Sequence, residues 1–235
     1  MNTIRKREMQ GYFYTPVGYV FVGVFLAVAS VLFYMQILRD RSGNLPGFVS
    51  AMSYLWMLLS PILTMRLLAE EKQRKTDQLL LTSPVSLPGI VLGKYLAAVT
   101  VLLITTGMTL LFVLVVALYG RVYPAELAVN YLGFFMQGCA FVAMDLFLSG
   151  CAGTPVTAAV IAFGANFVMW ILDLLENSVQ MPWLAEILRF LSLYRRNEPF
   201  MMGQLSFAGL LYDISFITAF LALTVWHLDR KRYGR

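Results

Sequence analysis

The chain has 235 residues, of which 59% are hydrophobic and 13% are charged, and its mean hydropathy is +0.71. Soluble domains are usually about 45–50% apolar and about 25% charged, so this composition excludes a soluble globular protein and indicates a membrane protein. The net charge of +5 does not indicate nucleic-acid binding, because the basic residues lie beside apolar runs, as they do at a membrane surface.

The first segment, Thr3–Tyr14, mixes basic side chains with Ile, Met, Phe and Tyr. Such a mixture predicts an amphipathic helix that lies in the membrane interface before Pro16 turns the chain inward. The apolar run that follows has no small-residue cleavage site, so we expect a retained membrane span and not a signal peptide.

A membrane-spanning helix needs about 20 mostly apolar residues. Six runs meet this requirement and predict six spans: Val17–Leu38, Leu45–Met65, Tyr95–Gly120, Leu127–Met144 extended past Asp145, a fifth run beginning near Thr154, and Phe207–Leu228. The start of the fifth follows a predicted tight turn at Gly150, Gly153 and Pro155. No internal repeat or linker divides the chain, and we expect one domain over residues 1–235.

The end of the second inter-span segment, Gly89-Ile-Val-Leu-Gly-Lys94, resembles a nucleotide-binding loop only superficially. A P-loop has four residues between its glycines and a Ser or Thr after the lysine, whereas here three residues separate Gly89 from Gly93 and Tyr95 follows Lys94. Ser86 and Pro88 instead predict a helix start that leads into span three. We therefore predict no nucleotide-binding loop in this chain, and we expect Lys94 to extend its ammonium group to the membrane surface.

The segment Glu70–Ser86 is densely charged at its beginning and apolar at its centre. A short helix from about Thr76 to Thr82, ended by Pro84, would carry an apolar ridge over Leu79–Leu81. Two interpretations remain open at this point. The ridge docks into the groove of another protein with the charges setting its orientation, or it rests on the bilayer with the charges in water.

Two carboxylates, Asp145 and Asp213, fall within or near predicted spans. Ionisable residues at such positions are costly and suggest a pathway role, although positions near the span ends would let either group reach water. His227 is the only histidine, and the spacing of Cys139 and Cys151 matches no zinc signature, so we expect no metal site.

Positive charge predicts the orientation in the membrane. Six spans place both termini on one side, and twelve basic residues share that side with them: Arg5, Lys6, Arg7, Arg66, Lys72, Arg74, Lys75, Lys94, Arg230, Lys231, Arg232 and Arg235. The other six lie on the opposite side: Arg39, Arg41, Arg121, Arg189, Arg195 and Arg196. Both termini are therefore predicted to be cytoplasmic, and Glu176–Gln204 is predicted to form the main outer segment.

The chain resembles a known family along most of its length. Glu-Glu-Lys-x-x-x-Thr-x-x-Leu-Leu-Leu-Thr-Ser-Pro-Val-Ser from Glu70, followed by Ile90-Val-Leu-Gly-Lys-Tyr95, is similar to the signature of ABC-2 type permeases, most of all their gliding-motility-type branch. Thr15-Pro-Val-Gly-Tyr19 and the outer segment from Phe190 to Gly203 extend the resemblance. Two positions depart from the usual Gly-Thr-x-Glu: Lys75 replaces the Gly, which should favour a more continuous helix, and Gln78 replaces the Glu.

The resemblance implies an all-α membrane protein with six transmembrane helices, an N-terminal amphipathic interfacial helix, a cytoplasmic coupling helix between spans two and three, and an outer cap between spans five and six. It also implies a permease that forms a homodimer or heterodimer on separate ABC ATPase subunits, which bind ATP and Mg, so that the chain itself is not an enzyme and needs no cofactor. The candidate ATPase-coupling residues are Glu70, Glu71, Arg74, Thr76, Gln78, Leu79 and Leu80, and Asp145 and Asp213 are candidate pathway or structural residues.

Three functions remain from the sequence. The first is a permease of the bacterial cytoplasmic membrane, which the family makes an exporter more often than an importer. The second is a scaffold or mechanotransmission subunit that passes the ATPase stroke to an extracytoplasmic companion protein. The third and weakest is an intramembrane enzyme, because Asp145 and Asp213 are expected near opposite membrane faces and His227 has no positioned serine.

Overall fold

The computed structural model describes residues 2–14, 16–39, 44–76, 86–119, 122–176 and 192–232, and the side chains of these residues except 2–4 and 176. Every regular element in these residues is a helix. In chain order they are α1 (Asn2–Tyr14), α2 (Pro16–Phe33) with a π-helical continuation (Tyr34–Arg39), α3 (Leu45–Thr64), α4 (Arg66–Gln73), α5 (Leu87–Tyr119), α6 (Pro124–Cys151), α7 (Pro155–Glu176), α8 (Leu193–Met201) and α9 (Phe207–Arg232). The all-α prediction is confirmed.

Six helices in the described residues are long and apolar enough to cross a membrane, in the order predicted from the sequence. They comprise α2 with its π-helical continuation, α3 with α4, α5, α6, α7 and α9. The predicted turn before Pro155 is present, because α6 ends at Cys151 and α7 begins at Pro155. The third span starts earlier than its apolar run, since α5 begins directly after Ser86 and carries Pro88 in its first turn, as a helix start requires.

Helix α6 is the centre of the bundle and packs against α3, α5, α7 and α9, and its most extensive contacts are with α3 and α9. The main core lies between α2, α3 and α6, where the buried ring of Trp56 makes edge contacts with Phe21, Phe25 and Phe134. A membrane gives no hydrophobic force between helices, so the interlocking of these large rings contributes packing energy to the bundle.

The bundle has two ends that carry different short helices. At one end, which we call the α4 end, α4 lies beside α1, the start of α5 and the α6–α7 turn. At the other, the α8 end, α8 packs against α3, α6, α7 and α9. The segment predicted to form the interfacial helix is helical, as α1, and the predicted outer segment contributes α8.

Helix α1 is attached to the bundle by a specific contact. The Tyr12 hydroxyl donates to the Leu63 carbonyl over 2.8 Å. Burial, aided by the nearby Glu8, raises the pKa of Tyr12, so the hydroxyl keeps the proton that it donates. Gly18 in α2 permits the approach, because a Cβ at that position would stand 2.7 Å from the Tyr12 carbonyl oxygen.

Candidate functional site

The candidate site is the surface of the α4 end, where charged residues of α1, α4 and α5 meet. Helix α4 follows α3 after a break at Met65, which gives α4 no side-chain cap of its own. Ser149 of α6 takes over that role. Its hydroxyl oxygen accepts from the backbone N–H groups of Leu68 (3.3 Å) and Ala69 (3.2 Å) and donates to the Met65 carbonyl (3.0 Å). The break is therefore held by the neighbouring span, because Ser149 satisfies groups that a helix start leaves unpaired.

The other end of α4 is closed by a Schellman motif centred on Lys75. Lys75 has a left-handed backbone (φ 56°), its N–H donates to the Lys72 carbonyl, and the Thr76 N–H donates to the Glu71 carbonyl over 2.9 Å. The prediction that Lys75 makes the helix more continuous is wrong. The helix ends at Gln73, and the position where the resembling family usually has glycine is one that requires positive φ.

Lys94 is the junction of this surface, and the prediction that it extends to the membrane surface is wrong. Its side chain is 1% exposed, and its ammonium group contacts Glu8 of α1 (2.8 Å), Glu71 of α4 (2.8 Å) and the Leu67 carbonyl (2.6 Å). Three hydrogen bonds satisfy all three ammonium protons, which is the condition for burying such a charge. The Nζ atom of Lys94 thus links α1, α4 and α5.

A second charge cluster runs along the exposed side of α4. Glu70 accepts from Arg66 through both carboxylate oxygens (2.7 and 3.1 Å) and pairs with Arg74 one turn further on (2.7 Å). The Arg74 side chain is 69% exposed. Arg66, Glu70 and Arg74 are spaced by four residues, so they share one face of the helix. This face borders a cleft of about 370 Å³ between α1 and α4.

The predicted coupling residues fall into different positions. Arg74 and Thr76 are exposed, and Glu70 is part of the exposed charge cluster. Glu71, by contrast, turns inward to Lys94 and contributes to the assembly of the three helices. Gln78, Leu79 and Leu80, with the predicted helix from Thr76 to Thr82, lie outside the described residues, apart from Thr76 itself.

The two predicted carboxylates lie in the bundle interior, and the expectation that either reaches water at its span end is wrong. Both are 0% exposed. Asp145 accepts from the Ser60 hydroxyl over 2.6 Å, and the Asn166 amide donates to Ser60 (3.3 Å) and to the Met57 carbonyl (3.0 Å). Asp145 therefore belongs to a polar cluster that links α3, α6 and α7. Asp213 lies apart from it, next to Asn197 of α8.

Sequence reasoning missed Glu8, Tyr12, Ser149 and Asn166 because each gains its role from a contact more than 50 residues away. Of these four residues, only Asn166 carries a signal in the sequence itself, since a polar amide inside an apolar run needs an internal partner. In the described residues, no group of His, Cys, Asp and Glu side chains is arranged to hold a metal ion.

Comparison with known proteins supports the membrane architecture. No curated protein gives a significant match to the chain. A family model described as "ABC-2 family transporter protein" matches residues 24–228, from within the first span to the end of the last. This match covers most of the chain and agrees with six helices able to cross a membrane. The protein therefore belongs to the ABC-2 transporter family and is an integral membrane permease, a class of membrane component that is normally non-catalytic and generally pairs with an ABC ATPase.

Proposed function

We propose that this chain is the permease subunit of an ABC exporter whose separate ATPase docks on the α4 end, over the segment from Glu70 to Ser86. The observation that carries the proposal is the Lys94 junction. A partner that displaces α4 also pulls on α1 and α5, because Glu8, Glu71 and Lys94 join these helices. Two spans and the interfacial helix then respond to a single docking event.

The exposed charges around α4 suit an ATPase contact. Arg74 extends from α4, and both ends of this helix are fixed. Ser149 holds its start and the Schellman motif holds its end. A rigid short helix transmits displacement without absorbing it. Nucleotide-driven closure of the ATPase would then bias two arrangements of the spans, which is how a two-state transporter uses a partner's free energy.

Further features of the proposal follow the resemblance. The chain would be a single domain of the gliding-motility-type branch, would dimerise with itself or with a second permease, and would hold both termini in the cytoplasm. ATP and Mg would be bound by the ATPase subunits. An additional membrane or extracytoplasmic companion protein is part of the same expectation.

The test is co-purification from the native membrane in mild detergent, with proteins identified by mass spectrometry. We expect a P-loop ATPase with the wild-type chain and its loss in the double variant Arg74→Ala/Leu80→Ala. Arg39→Ala is the matched control, since Arg39 is an exposed arginine on the helix end remote from α4. Glu71→Ala is unsuitable because it also removes a partner of Lys94.

The outcomes separate the competing functions. Absence of an ATPase from the intact wild-type complex, or equal loss in Arg39→Ala, would contradict docking at α4. An ATPase that binds at α4 and drives no movement of solute in vesicles would instead support the mechanotransmission alternative, in which the stroke passes to an outer partner.

A further inference from the structure

A polar pocket of about 260 Å³ opens at the α8 end, remote from the proposed ATPase surface. Its walls come from four helices, with Ser50, Ser53 and Tyr54 from α3, Gln137 from α6, Asp173 from α7, and residues of α8. At about 30 Å³ per water molecule, the space corresponds to several waters or one small polar molecule. Convergence of four elements makes the pocket a preformed cavity.

Two buried amide side chains line the pocket, and one of them, Gln137, lacks any hydrogen-bond partner. Gln137 and Asn197 both line the cavity and each is 1% exposed. Neither the amide nitrogen nor the carbonyl oxygen of Gln137 is paired, whereas the Asn197 amide lies next to the buried carboxyl group of Asp213. Buried polar groups are nearly always hydrogen-bonded, because an unpaired one carries its full desolvation penalty. The two amide atoms of Gln137 therefore point to a bound species that supplies both a donor and an acceptor.

The charged groups that line the pocket are already engaged. Arg195 and Glu198 pair with each other over 2.6 Å, and Asp173 accepts from the Ser192 hydroxyl over 3.1 Å. The Tyr194 hydroxyl is buried without a partner, and burial, with Tyr54 and Asp173 nearby, raises its pKa and keeps it protonated. Amides and hydroxyls that both donate and accept match a neutral ligand better than an ion.

The pocket also offers aromatic surface to a ligand. Tyr54 and Tyr194 stack with ring centroids 4.8 Å apart and planes 11° from parallel, so the two rings form one aromatic block in the wall of the pocket. The side chains of Arg195 and Glu198 are part-exposed and mark the rim. A ligand with several hydroxyls could exchange bonds with the amides while its carbon skeleton covers the aromatic surface.

We propose that this pocket binds a neutral polyhydroxylated group, either a free sugar or the glycerol headgroup of a lipid, through Gln137, Asn197 and Tyr194. The site is independent of ATPase docking at α4. It would give the α8 end of the permease its own ligand.

The experiment uses the full chain in nanodiscs and follows thermal unfolding by tryptophan fluorescence. One arm adds glucose to phosphatidylcholine nanodiscs. The other compares phosphatidylglycerol with phosphatidylserine, which has the same net charge but lacks the glycerol diol. A ligand that binds the folded state raises the Tm. We expect a rise in at least one arm that is lost in Gln137→Leu and Asn197→Leu.

Two further variants keep the result interpretable. Asn130→Leu is the matched control: Asn130 is an equally buried, unpartnered amide two turns earlier on α6 that does not line this pocket, so its variant should keep the full rise. Tyr194→Phe removes one oxygen with little change of volume and should reduce the rise if the leucine variants fail to fold. General stabilisation by sugar as an osmolyte would be equal in all variants and does not count.

Each outcome decides the proposal. A rise with glucose alone assigns a free sugar, and a rise with phosphatidylglycerol alone assigns a lipid headgroup. No rise in either arm, or a rise that persists in Gln137→Leu, Asn197→Leu and Tyr194→Phe, would mean that the pocket holds only water, and the proposal would be overturned. Equal loss in Asn130→Leu would overturn it too.

Discussion

At the scale of single residues, the charge of Lys94 decides how the α4 end is assembled. The residue lies in an apolar sequence context, and its ammonium group is buried between two carboxylates and a carbonyl. A buried ion pair adds little net stability compared with an apolar pair, but removing one partner leaves the other charge buried and uncompensated. Lys94 is therefore a structural requirement whether or not an ATPase is bound.

We predict that Lys94→Met lowers the free energy of unfolding by about 3–5 kcal/mol, because Glu8 and Glu71 then face each other without their cation. Thermal unfolding of the purified chain in detergent measures this change. Lys6→Met, at an exposed position on α1, is the control and should change stability little. Adding Glu71→Gln to Lys94→Met should recover part of the loss, and a single variant as stable as the wild type would refute the junction.

Asp145 supports a second prediction at this scale. Asp145→Asn should be tolerated, because the amide oxygen still accepts from Ser60, whereas Asp145→Leu removes the acceptor and should cost about 1–3 kcal/mol. The same unfolding measurement compares the two. Similar stability of the Asn and Leu variants would show that the Ser60 contact contributes nothing.

At the scale of elements, α4 is a short helix fixed at both ends by groups that its own sequence does not reveal. Its start depends on Ser149 from α6, and its end depends on a left-handed residue that is not glycine. An isolated eight-residue helix is unstable in water, so these contacts and the Lys94 junction decide that α4 forms. The helix is thus stabilised by the spans that it is proposed to move.

We predict that Lys75→Gly stabilises the end of α4 by up to about 1 kcal/mol, because glycine adopts positive φ without the steric cost that lysine carries. Gln73→Gly, two residues earlier inside the helix, should destabilise it by about 1 kcal/mol. Amide hydrogen exchange of residues 70–76 measures both effects. Changes of the same sign would contradict the Schellman assignment.

At the scale of the whole molecule, the bundle places α1, α4, the α6–α7 turn and the end of α9 at one end. Lys72 reaches the Ala152 carbonyl over 2.9 Å, and Lys231 approaches the Gly150 carbonyl. The basic residues near both termini therefore share an end with α4. This is the arrangement that the positive-inside rule requires of a chain with cytoplasmic termini.

The native cysteines test that orientation. Cys151 is exposed at the α4 end and Cys139 is buried in the bundle. A membrane-impermeant maleimide should label the chain, expressed without its ATPase, in inverted vesicles and not in right-side-out ones. Cys151→Ser should abolish the label, and adding Gln204→Cys to that variant should restore labelling only from the opposite side. Labelling of Cys151 in right-side-out vesicles would reverse the proposed topology.

The sequence by itself determined the membrane class, the number and order of the spans, the N-terminal helix and the turn before Pro155. These features follow from local apolar runs and from Pro and Gly positions, which act within a few residues along the chain. The match to the ABC-2 family covers the same stretch. Of the predicted coupling residues, Glu70, Arg74 and Thr76 border one cleft at the α4 end.

Only the tertiary structure decided which polar residues meet. Lys94 was predicted to extend to the membrane surface and is instead buried. Lys75 ends a helix that it was predicted to prolong, and Asp145 and Asp213 are enclosed by the bundle. The physical reason is that a buried polar group is stabilised by partners from other helices, and the packing of spans selects those partners. Local sequence periodicity does not predict these partners, because they lie on distant segments of the chain.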